Sequence, residues 1–109
     1  MIRILGFVAV LAVTLTTSGN THAAGDPAAG KAKSATCGAC HGPSGISTND
    51  AWPSIAGQKQ AYMVTQLKAF RDGTRADPVM SPLAKPLSDR DIQDLAAFFS
   101  RLNPVRAVY

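Results

Sequence analysis

Ala35-Thr36-Cys37-Gly38-Ala39-Cys40-His41-Gly42-Pro43 is the stretch on which the reading of this chain turns. Its centre, Cys37 to His41, has the spacing C-x-x-C-H, the attachment signature of a c-type haem. Two cysteines three positions apart near a helix end point to one side, so each sulfur can form a thioether to one haem vinyl group. The histidine that follows is then held beneath the iron as an axial ligand. Its second ring nitrogen needs an acceptor to fix the ring. A thioredoxin-like pair expects a β-α-β context that is absent here, and a structural zinc site needs four ligands. A disulfide or thiol role is the remaining alternative.

Upstream of the motif, residues 1–23 read as a secretory signal peptide: Arg3, an apolar run from Ile4 to Leu15, then small and polar residues ending Thr21-His22-Ala23. Cleavage is expected after Ala23, with Ala24 as the second choice, which leaves 24–109 as a single monohaem domain. Export agrees with haem attachment outside the cytoplasm. The chain of 109 residues is 46% hydrophobic, but much of that content lies in the leader and in alanines. Domains this small and this short of large apolar side chains often need a disulfide, a metal or an oligomer to complete the core. This composition excludes a multidomain enzyme, a polytopic membrane protein and a disordered tail.

Eleven Lys and Arg stand against seven acidic residues, a net charge of +4. The basic residues are scattered among acids and form no cluster, so nucleic-acid binding is rejected. A mild positive field can still steer an acidic protein partner.

Helical spacing predominates downstream of the leader, and the domain is expected to be all-α. Asp26 as N-cap and Pro27 at the first helical position open a helix running towards Cys37, with Gly42-Pro43 as its stop. Residues 42–57 are rich in Gly, Pro, Ser and Asn and read as a long functional loop. A second helix covers roughly Lys59 to Arg71, with Met63, Leu67 and Phe70 on one stripe and Asp72-Gly73 as its exit. Pro78, Pro82 and Pro86 mark Thr74 to Leu87 as a second loop. The last helix opens at Ser88-Asp89-Arg90-Asp91, close to a capping box, and presents Ile92, Leu95, Phe98, Phe99 and Leu102 on its apolar side.

With His22 in the leader, His41 is the only remaining histidine, which excludes a bis-histidine site within one chain. Met63 and Met80 are the candidates for the sixth ligand. Met63 sits on a helical stripe, where a Met is more often core filler. Met80 lies in the proline-braced segment Asp77-Pro78-Val79-Met80-Ser81-Pro82 and has no such explanation, so it is the favoured ligand.

These residues together resemble the small bacterial class I c-type cytochromes, and equally either half of their tandem dihaem members. The resemblance covers essentially all of 24–109. It is carried by Gly30-Lys31-Ala32-Lys33, Cys37 to His41, Trp52-Pro53-Ser54-Ile55-Ala56-Gly57-Gln58, Tyr62 with Gln66-Leu67, the Met80 loop, and Leu87-Ser88-Asp89 to Ala97-Phe98-Phe99. It implies a class I cytochrome c fold of three or more helices around one haem c, held covalently through Cys37 and Cys40. It also implies a crossing of the first and last helices at Gly30, approached by Phe98, and a Pro53 carbonyl that accepts from His41. Ile55 and Trp52 then line the pocket or its edge, with Trp52 as a plain core anchor the alternative. A single C-x-x-C-H means a single haem.

The expected function is one-electron transfer in the periplasm, as part of a respiratory chain, by an electron carrier rather than an enzyme. His41 and Met80 are the metal ligands, and Cys37, Cys40, Pro53 and Ile55 complete the cofactor contacts. Expected partners are redox proteins, one donor and one acceptor, with no nucleic acid. Membrane contact is expected only through a membrane-bound redox complex or an uncleaved leader, and the chain is expected to be a monomer. Lys31, Lys33, Lys59, Lys68 and Lys85 are candidates to ring the haem edge. The rival readings are a ligand-binding or sensor haem protein with a labile sixth position, and a haem subunit of a larger oxidoreductase. A peroxidase is disfavoured, because 24–109 holds no second His and no Glu for acid-base work.

Overall fold

Asp26-Pro27 opens the first helix as its chemistry requires. The Asp26 carboxylate accepts from the Ala28 amide at 2.9 Å, and Pro27 occupies a position whose amide would have no helical partner. The fold is known from a computed structural model that describes residues 24–105; residues 1–23, where a signal peptide is expected, and residues 106–109 lie outside the described part. Among the described residues the structure is all-α: α1 (Pro27–Lys33), α2 (Ala35–His41), α3 (Gln60–Asp72), α4 (Met80–Ala84) and α5 (Asp89–Ser100). None of these helices is long and apolar enough to cross a membrane.

Two boundaries differ from the sequence expectation. The single helix expected from Pro27 to the cysteines is broken at Ser34. Both the amide and the hydroxyl of Ser34 donate to the Lys31 carbonyl, at 3.2 and 2.8 Å, and this local bonding interrupts the helical ladder before α2 begins. The proline-rich segment after Gly73 contains a helix, the five-residue α4. Pro82 is accommodated because it lies in the first turn, where an amide needs no intrahelical acceptor.

The other helix ends follow their signals. Gly73 adopts φ +85° and its amide closes on Ala69, the left-handed exit that ends α3. At α5 the Ser88 hydroxyl accepts from the Asp91 amide while the Asp91 carboxylate accepts from the Ser88 amide, each at 3.0 Å, so the capping box is complete with Asp at its third position.

Helix α5 is the hub, crossing α1, packing on α3 and burying Ile92, Leu95, Ala96, Ala97 and Phe99. Met63, Leu95, Ala96 and Phe99 form the core cluster, with Cys37, Ile55, Leu67 and Leu87 packed against it. Each large side chain buried this fully contributes about 1.5–3 kcal/mol. At the crossing, a Cβ on Gly30 would lie 2.0 Å from the Asp94 carbonyl oxygen and 2.8 Å from Phe98 Cβ, so the helices meet where a side chain is missing. Asp94, 1% exposed, ties the crossing together. Its carboxylate accepts from the Asp26 amide at 2.7 Å, from Lys33 Nζ at 2.8 Å and from Arg90 Nε at 3.2 Å. Burial pushes the Asp94 carboxyl up, but Lys33, the Asp26 amide and Arg90 outweigh it and the net direction is down.

Candidate functional site

Helix α2 carries the C-x-x-C-H motif and ends on His41, which is buried. The loop after it is built to return to that histidine. Gly42 leaves α2 at φ +85°, and a Cβ there would collide with the Ile46 carbonyl at 2.0 Å. The Gly45 amide donates to Gly42 O at 2.9 Å, and Gly45 O accepts from the amides of Ile55 and Ala56 at 2.8 and 2.9 Å, which closes the loop at its neck. The Ser47 amide donates to Ser54 Oγ at 2.9 Å, and the Gly57 amide donates to Phe99 O at 3.0 Å, anchoring the far end on α5.

Within this frame the Pro53 carbonyl lies 2.6 Å from His41 Nδ1. A carbonyl only accepts, so Nδ1 carries the hydrogen and Nε2 of the neutral ring keeps its lone pair. Nε2 makes no hydrogen bond. A buried imidazole with one nitrogen fixed and the other offered as a lone pair is the arrangement of an oriented metal ligand.

Cys37 and Cys40 are free thiols, both partly buried. Burial pushes the Cys37 thiol up, away from a reactive thiolate. Among the described residues no group of three or more His, Cys, Asp or Glu side chains converges on a metal position. The donor set fits a covalently held haem: two thiols three positions apart, Cys37 packed against the apolar cluster, and next to them an imidazole whose ring is fixed by the Pro53 carbonyl.

The remaining residues divide as follows. Ile55 is half-buried against the core cluster. Trp52 is 39% exposed, so the alternative of a plain core anchor falls away. Met63 belongs to the core with Leu95, Ala96 and Phe99. Met80 stands at the start of α4, half-buried and outside that cluster. Its amide donates to Asp77 Oδ1 at 2.7 Å, and the Val79 amide donates to the same oxygen at 2.8 Å. These two amides hold the Asp77 carboxyl below the usual range.

Asp77 was not singled out by the sequence reading, although Asp77-Pro78 repeats the Asp-Pro signal that identifies the start of α1. Of the lysines offered as candidates to ring the haem edge, Lys33 pairs with Asp91 and Asp94 at the helix crossing, each at 2.8 Å, and Lys68 lies 3.7 Å from Asp89.

The family described as cytochrome c matches residues 27–103. The chain is 47% identical over 90 residues to cytochrome c4 of Pseudomonas aeruginosa, covering 83% of this chain and 45% of that protein. It is 45% identical over 80 residues to cytochrome c-554(548) of Halomonas halodenitrificans, covering 71% of this chain and 96% of that protein. The crystal structure of reduced cytochrome c4 from Pseudomonas stutzeri superposes with a TM-score of 0.70 at 39% identity, covering 73% of this chain and 47% of that one. The chain thus spans about half the length of the cytochrome c4 relatives and nearly all of the Halomonas protein.

Proposed function

The chain belongs to the cytochrome c family, and from that premise we propose that it is a periplasmic one-electron shuttle in which His41 and Met80 would ligate the iron of one haem c. The family binds haem c covalently through C-x-x-C-H, and Cys37 and Cys40 have that spacing. At the coarser level the chain is an electron-transfer haem protein of the cytochrome c4 kind. The observation that carries the finer reading is the 2.6 Å bond from His41 Nδ1–H to the Pro53 carbonyl. It fixes the ring in one tautomer and one orientation, as a ligand that stays bound through a redox cycle requires.

The haem, when bound, supplies a couple between ferric and ferrous iron without any bond to substrate. The residues hold that group in place. Cys37 and Cys40 would anchor it through their sulfurs, and His41 would present Nε2. Ile55 and the Met63 cluster would offer it apolar surface. Met80 would supply a thioether sulfur, which favours the reduced state and raises the potential, as does an apolar pocket.

Met80 is preferred to Met63 because Met63 is enclosed in the core, whereas Met80 has its backbone pinned and its side chain outside the cluster. Export is supported by the leader pattern over 1–23, and its partners are redox proteins. Carbon monoxide added to the reduced holoprotein tests the ligation. A firm Met80 leaves the spectrum nearly unchanged; ready binding supports the sensor reading and contradicts the shuttle.

A further inference from the structure

We propose that Asp77 is the positioning residue that keeps Met80 in its ligating conformation, through hydrogen bonds to the backbone of the turn that carries it. The proposal rests on Met80 as the sixth ligand and adds what holds it there. Asp77 Oδ1 accepts from the amides of Val79 and Met80 at 2.8 and 2.7 Å. In return the Asp77 amide donates to Ser81 Oγ at 3.0 Å, and the Ser81 amide donates to the Asp77 carbonyl at 3.1 Å. The turn from Asp77 to Ser81 is therefore closed reciprocally, side chain to backbone in both directions, in the manner of a capping box.

The closed turn is also tied to α3. Ser81 Oγ donates to the Arg75 carbonyl at 3.4 Å, and the Arg75 amide donates to the Ala69 carbonyl at 3.1 Å. The Arg75 guanidinium donates to Gln66 Oε1 at 2.6 Å and lies 4.4 Å from the centre of the Phe70 ring. Phe70 is buried, so the Met80 backbone is referenced to the core through Arg75, Ser81 and Asp77.

This matters because a helix of five residues does not sustain itself by propagation. A methionine side chain, moreover, has three rotatable bonds through which to lose its aim. Pro78 fixes one backbone angle, but only the Asp77 oxygen joins the two amides at the Met80 end of the turn. On this proposal, release of Met80 opens the turn, and these bonds are lost with it. They therefore bias the equilibrium towards the ligated state by the value of a helix cap.

Imidazole titration of the ferric holoprotein, with the near-infrared thioether-to-iron band recorded alongside, tests the proposal. Asp77→Asn keeps the accepting oxygen and discards the charge; Asp77→Glu keeps the charge and displaces the oxygen; Asp77→Ala removes both. Asp77→Asn is expected to bind imidazole as the parent does. Asp77→Ala and Asp77→Glu are expected to bind it roughly two- to thirtyfold more tightly with a weakened band, the range that follows from losing a cap. If Asp77→Ala yields no holoprotein, the Asn and Glu pair decides by the same criterion. Parent-like affinity in Asp77→Glu, or loosening in Asp77→Asn, overturns the positioning role. Met80→Ala is the separate control: if it keeps the thioether band, Met80 is not the ligand and the reading beneath the proposal fails on its own evidence.

Discussion

A neutral imidazole has one donor nitrogen and one lone pair, and His41 gives its donor to the Pro53 carbonyl at 2.6 Å. The lone pair that remains is aimed by the loop that carries Pro53, so the ligand depends on Gly42 and Gly45 as much as on its own position. The identity of His41 and both cysteines was legible in the sequence because the motif is side-chain chemistry at fixed spacing. The acceptor was not legible from the residues alone, since a backbone carbonyl leaves no mark in an amino-acid sequence; only the resemblance pointed to Pro53. Asp77 was legible in principle, through the same Asp-Pro pair read correctly at Asp26. The prolines around it drew the reading towards a loop and away from a capped turn. Two methionine variants separate ligand from core at this scale. Met80→Ala should abolish the six-coordinate ferrous spectrum and lower the potential, whereas Met63→Ala should retain both and lose about 2–5 kcal/mol of stability in denaturant unfolding. The opposite pattern exchanges the two roles.

Helices α1 and α5 cross through a contact that tolerates no side chain on α1, and an added methyl at Gly30 would lie 2.0 Å from a backbone oxygen. Gly30→Ala should therefore destabilise by about 3 kcal/mol or more, because backbone and not a flexible side chain has to move; calorimetry of the holoprotein measures it. The same crossing makes stability fall in acid. The Asp91 carboxyl is held down at about 2 by its hydrogen bond from Lys33 and by Ser88, against an ordinary value of 3.8. A carboxyl lowered in the folded state stabilises the fold above its unfolded pKa and loses that contribution as pH falls towards the folded one. Stability should decline between about pH 4 and pH 2, and Asp91→Asn should flatten that decline in acid titrations followed by circular dichroism. An unchanged slope removes Asp91 from the explanation. Helix ends at Gly73 and Ser88 were readable from the sequence because capping is local. The break at Ser34 was not, because a serine hydroxyl bonding back to Lys31 competes with a helix that alanines and lysines on either side favour.

Across the whole molecule, the scarcity of large apolar side chains has a direct structural counterpart. Among the described residues the central cluster is formed by Met63, Leu95, Ala96 and Phe99, and Cys37 and Ile55 pack against it from the side of the motif. A haem anchored at Cys37 extends this small core, so a Cys37→Ala, Cys40→Ala chain should lose most of its far-ultraviolet helical signal; a well-folded haem-free chain would contradict that dependence. The distribution of charge was the least legible property. Scattered lysines in sequence do not reveal that Lys33 pairs with a buried carboxylate across the fold. The central claim, one covalently attached haem with histidine and methionine ligands, meets its most direct test in the exported protein itself, by intact mass together with the ferrous absorption spectrum. The expected product is a chain lacking residues 1–23, heavier by one haem, with a six-coordinate low-spin spectrum. A mass without haem, or a five-coordinate high-spin ferrous spectrum, would contradict it.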